Sequence, residues 1–245
     1  MVANQIFVIH PYDKTTTSLK EISDFLHEKL GDVVDYYEIS ANDYSHRDCL
    51  EKLESKDENN LIIFMGHGRS DSLYGARGDN FEAADFISIE AIDENPNLYY
   101  KNESFICSET TTIFNNKKVF CLSCRSNEHI ATTAISNEAI SFLGFGEIPS
   151  SFEEIQNVDK TILEDISEIV NKEIIYIIKK SLMFSIVNNY NFEQLCNLIK
   201  FVSQQRISDY LVNQKTNHNR YNIANILYNF KSNVKVFGDR KVNVL

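Results

Sequence analysis

Short apolar runs separated by amphipathic segments constrain the fold of this chain more than any other feature. Residues 5–10 read QIFVIH, 60–65 NLIIFM, 117–123 KKVFCLS and 139–145 AISFLGF. Between them, SLKEISDFLHEKL sets Leu19, Ile22, Phe25, Leu26 and Leu30 at helical spacing ahead of Gly31. A strand-like DVVDYYEIS follows, then a second helical stretch, ANDYSHRDCLEKLES, and the last strand lies in NVKVFGDRKVNV. Apolar strands alternating with amphipathic helices predict an α/β fold, with a mostly parallel sheet covered on both faces.

From 159 to 231 the pattern turns helical. Ile162, Leu163, Ile166, Ile169 and Val170 form a stripe that continues through Ile174, Ile177, Ile178 and Leu182, and the polar run 213–222 reads as a loop. No repeat or linker divides the chain. A single domain over 1–245 is expected, with a sheet core in 1–158 and the helical region and last strand in 159–245.

Net charge is −11, split as −15 over 1–158 and +4 over 159–245. That balance argues against nucleic acid, which needs a basic footprint. The acidic half suits a basic substrate or partner, or is simply a solvated surface. No apolar run is long enough to span a membrane, and the N-terminus lacks the basic and cleavage features of a secretory leader. Five cysteines in a chain of this size do not form a disulfide framework, so the reading is cytoplasmic.

Glycine costs entropy and is placed where backbone must turn sharply or approach something closely. The chain has only eight, and seven fall at or just after a strand end: 66, 68, 75, 78, 144, 146 and 238. In open α/β sheets, sites form beyond the carboxyl ends of the strands. Two reactive side chains occupy that rim, His67 in MGHG after the third strand and Cys124 after the fourth. A thiol becomes nucleophilic on deprotonation, and a neighbouring imidazole takes the proton. Glycine beside the histidine would let a backbone N–H approach a reacting carbonyl oxygen. Cys121 and Cys124 also spell C-x-x-C, but the remaining cysteines lack the spacing of a second zinc-binding pair. Cys121 lies inside the strand and reads as core. The other histidines show no metal-ligand spacing. His129 reads as a helix-face residue, and His10, at the end of the first strand, reads equally well as bordering the site or as core.

IIFMGHGRSDSLYG, KKVFCLSCRSNEHIATTAISNEAISFLGFG and VKVFGD, in that order and spacing, resemble the caspase-like (clan CD) cysteine peptidases, especially the bacterial CHAT proteases. The resemblance implies a three-layer caspase-like sandwich with about six strands. It implies a His67–Cys124 dyad, an oxyanion hole of the Gly68 and Cys124 amides, and no cofactor or metal. It places the pocket for the residue preceding the cut between the strand before the cysteine, where Leu122 shares the side of Cys124 by alternation, and the first-strand loop carrying Asp13 and Lys14. From those walls, a medium apolar or basic residue is expected there. The expected partners are a protein substrate and a regulatory or sensor protein, in a bacterial defence or cell-suicide system. A caspase-like scaffold that binds without cleaving is the alternative. From their length, polarity and position at the rim, activity is expected to stay low until segment 71–116 or the loop 146–158 is ordered by a partner or substrate.

Overall fold

The computed structural model describes residues 5–13, 15–76, 104–148 and 160–245. Expectations resting on Lys14, on Gly78, and on most of the 71–116 and 146–158 segments lie outside these residues. The central sheet has six strands: β1 (Ile6–Pro11), β2 (Val34–Ile39), β3 (Leu61–Met65), β7 (Lys118–Leu122), β8 (Ser141–Gly144) and β9 (Lys235–Gly238). Their spatial order is β2-β1-β3-β7-β8-β9. The first five run parallel and β9 is antiparallel to β8. A smaller antiparallel sheet of β4 (Gly68–Arg69), β5 (Ser72–Tyr74) and β6 (Ser104–Cys107) grows from the loop after β3.

Helices cover both faces, which gives the three layers of an α/β sandwich. On one face α1 (Lys20–Leu30), α4 (Lys160–Val187), α5 (Phe192–Val212) and α6 (Arg220–Ser232) bury Ile6, Val8, Ile63, Phe120, Leu122 and Leu143. On the other, α2 (Asp43–Glu54), α3 (His129–Ser136) and the small sheet cover Phe7, Ile9, Ile62, Phe64, Cys121 and Phe142. The alternation of the two sets along each strand is the period of two that a doubly covered sheet imposes. β2, at the edge, is only half-buried and carries charge, with Asp35 paired to Lys56. Charges of this kind blunt an exposed strand edge.

The helical stripe of 166–182 is buried as its spacing predicts. Between α4 and α5, Glu173 receives a bidentate pair from Arg206 at 2.6 and 2.8 Å and a hydroxyl from Tyr210 at 2.9 Å. A capping box, with Asn191 and Gln194 bonding each other's backbone N–H, starts α5. Phe145, just past β8, stacks on Phe230 of α6 at 5.3 Å and meets Phe120 edge-on. The exit of β8 is therefore held by the helical layer. No described helix is long and apolar enough to cross a membrane.

One sequence expectation is corrected by the topology. Because Gly238 pairs with Ser141, the first residue of β8, it lies on the rim opposite Gly66, Gly68 and Gly144. The antiparallel return of the last strand carries it there.

Candidate active site

β3 and β7 are neighbours, with Phe64 opposite Cys121 and Met65 opposite Leu122. The turns that leave them therefore emerge side by side, about 4.8 Å being the usual strand spacing. Gly66 N–H donates to the Leu122 carbonyl at 3.2 Å, which extends the pairing one step beyond the strands. His67 and Cys124 line the same pocket, together with Leu122, Ile148, Asn171 and Ile174.

His67 is fixed from the loop after β1. Asp13 is buried, and its Oδ1 accepts from the Thr15 amide at 2.8 Å and from the Thr15 hydroxyl at 2.5 Å. Having given its only proton to Asp13, the Thr15 hydroxyl accepts from His67 Nε2–H at 2.7 Å. Asp13 Oδ1 itself lies 3.5 Å from Nε2. This network assigns the proton of the neutral ring to Nε2 and leaves Nδ1 unprotonated. Burial pushes the Asp13 carboxyl up, but the His67 and Thr15 hydrogen bonds and the His67 charge outweigh it. The group is held well below the usual carboxylate range. Behind the loop, His10 is buried with Nε2 on the Thr16 carbonyl, so it supports the loop rather than bordering the pocket.

The structure thus turns Asp13 onto His67 and Thr15 instead of into the wall of the pocket beside Leu122, where the resemblance set it. Leu122 does line that pocket, on the face of β7 opposite Cys121. Thr15 is a site residue that sequence reading missed. Its only signal was a Thr/Ser cluster after β1.

Cys124 sits in a tight turn, with Arg125 at a φ of 55°. The turn is tied to the exit of β8 by Arg125 N–H to the Gly146 carbonyl, Asn127 N–H to the Phe145 carbonyl, and Phe145 N–H to the Ser126 hydroxyl. Asn127 Nδ2 donates to the Asn233 carbonyl at 2.6 Å, just ahead of β9. Two glycines answer to close approach. A Cβ at Gly144 would lie 2.4 Å from the Ser126 carbonyl oxygen, and one at Gly68 2.3 Å from Ser123 Oγ. Gly68 thus packs the histidine turn directly on the residue before the cysteine.

None of the five cysteines forms a disulfide. Burial pushes those of Cys49, Cys121 and Cys196 up, while Cys107 and Cys124 are part-exposed. The Cys124 thiol donates to the Ile148 carbonyl at 3.1 Å and accepts from Ile148 N–H at 3.3 Å. The pocket left beside it measures about 30 Å³, room for a water molecule or two. A larger groove of about 650 Å³ between α1 and α4 shares no residue with the pocket of His67 and Cys124. Among the described residues no cluster of three His, Cys, Asp or Glu side chains is placed to hold a metal ion.

No family model, curated protein or solved structure matches this chain.

Proposed function

We propose that the chain is a cysteine endopeptidase of caspase-like type. The observation that carries this reading is the shared pocket of His67 and Cys124, with Nε2 of the imidazole committed to Thr15 and Asp13. In this mechanism His67 Nδ1 takes the Cys124 proton and the thiolate attacks the carbonyl carbon of the scissile peptide. The amides of Gly68 and Cys124 hold the oxyanion. The imidazolium, stabilised by Asp13 through Thr15, protonates the leaving amine as the C–N bond breaks. Water then adds to the thioester, giving its proton to His67, and the freed thiolate regains it as the acid product leaves. No cofactor enters these steps.

By its resemblance to bacterial CHAT proteases we assign the chain to a regulated position in a defence or cell-suicide system, acting in the cytoplasm. A protein is its substrate and a sensor protein its regulator. The thiol's engagement with Ile148 favours one other reading, a caspase-like scaffold that binds partners without cleaving them. Peptide cleavage decides between them. Cys124→Ala and His67→Ala should each lower kcat/KM by about 10²-fold or more while leaving the circular dichroism spectrum unchanged. Loss of activity in Cys121→Ser instead would identify a different nucleophile.

A further inference from the structure

Ile148 does more than border the thiol. Its backbone carbonyl and N–H both bond Cys124 Sγ, at 3.1 and 3.3 Å, so one residue meets the sulfur through both of its peptide groups. Its side chain is half-buried against the apolar cluster that contains Leu122 and Ile174, with Leu19 packed alongside. Those three residues and Ile148 are the apolar side chains that line the pocket, whose space for water-sized occupants is about 30 Å³. Ile148 therefore occupies two of the approaches to a sulfur that is otherwise part-exposed.

The walls also say what belongs in the pocket. Apart from His67 and the thiol, its described lining is aliphatic or neutral polar, Thr15, Thr16, Ser18 and Asn171 being the polar members. Asp13, the one carboxylate of the adjoining loop, is spent on His67 and Thr15. Among the described lining residues a cation entering here finds no carboxylate, and an anion finds no cationic group other than His67. The space freed when Ile148 withdraws is its own side chain's volume added to the small void.

We propose that Ile148 holds the site closed as a tethered stand-in for substrate, and that the pocket it fills takes an uncharged, medium-sized aliphatic residue on the acyl side of the cut. The inference rests on the peptidase reading for its substrate half, and its test is arranged to fail separately. In a Cys107→Ser background, which removes the other part-exposed thiol, the rate of iodoacetamide labelling of Cys124 is followed by peptide mass mapping. Ile148→Gly should label about tenfold faster than the parent, the scale set by releasing a half-buried isoleucine. Ile148→Val, which keeps both backbone bonds and most of the side chain, should label at the parent rate. Acetylated tripeptide amides ending in leucine should slow labelling of the Ile148→Gly protein severalfold, and those ending in lysine or aspartate should not. Equal rates in the parent and in folded Ile148→Gly protein overturn the closure. Protection by the lysine or aspartate peptide equal to that by leucine overturns the pocket assignment. Labelling needs no turnover: a chain that labels as expected and cleaves no peptide removes the peptidase reading while Ile148 keeps its place. Cleavage with unchanged labelling does the reverse.

Discussion

At the scale of single residues, the Asp13–Thr15–His67 chain is the feature with the sharpest consequences. A buried carboxylate beside an imidazole stabilises the imidazolium, and a hydrogen bond to a charged partner contributes about 1.5–3 kcal/mol. Asp13→Asn should therefore lower kcat/KM roughly 10–100-fold. Thr15→Val, which breaks the relay without removing the charge, should lower kcat while leaving KM near its original value. Asp13 also leaves a mark on stability. Its folded pKa lies below its unfolded value of about 3.9, so its contribution is complete above that pH and is lost as pH falls through the folded value. The parent's stability to urea should fall as pH drops below about 4, and Asp13→Asn should show a shallower acid slope. Equal slopes would mean that Asp13 gains nothing from His67 in the folded state. Thr15 was illegible in the sequence because it meets His67 across 52 positions, through a pairing of β1 with β3 that no local pattern encodes. Leu122 was legible, because the two-residue period of a strand holds one step past its end.

At the scale of elements, two turns leaving neighbouring parallel strands are welded at Gly68 and Ser123. Gly68→Ala places a methyl 2.3 Å from Ser123 Oγ and 2.8 Å from the Ser72 carbonyl oxygen, a backbone atom that cannot swing aside. Overpacking of this kind costs about 1–3 kcal/mol, and here its effect falls on the relative placement of His67 and Cys124. Activity should drop by more than the lost stability accounts for, checked by kcat/KM at a temperature where the variant is fully folded. The strands, their parallel order and the helical stripe of α4 were all readable, because burial on both faces writes itself as continuous apolar runs and burial on one face as a 3.6-residue period. The antiparallel direction of β9 was not, since a four-residue strand carries no sign of its direction. That is why Gly238 was grouped with the site rim. Ile148 was invisible for a related reason: it lies beyond β8 in irregular chain, where no periodicity reports which way a residue faces.

For the whole molecule, the helical layer and the sheet hold each other in register. Glu173 is the buried hub that joins α4 to α5, and removing one partner of such a pair costs about 3 kcal/mol. Glu173→Ala should lower the Tm by roughly 6–12 °C, measured by calorimetry, and leave the Cys124 turn intact. A drop under about 2 °C would show that the ion pair is replaced by solvent without loss. The Asn127–Asn233 bond and the pairing of β8 with β9 carry a different consequence, one of timing. A ribosome delivers Cys124, the later of the two reactive residues, roughly a hundred residues before Asn233 and β9, and at the usual pace of synthesis that is a wait of about 5–20 seconds. During that interval the turn bearing the thiol has its bonds to the exit of β8 but not the one to Asn233, and the sheet has an open flank. The growing chain is thus expected to hold its reactive groups unassembled until translation has passed residue 238. A chain stopped after Ser232 should alkylate at Cys124 as fast as urea-unfolded protein, and labelling as slow as in the longer chain would show that the turn forms without its last neighbours.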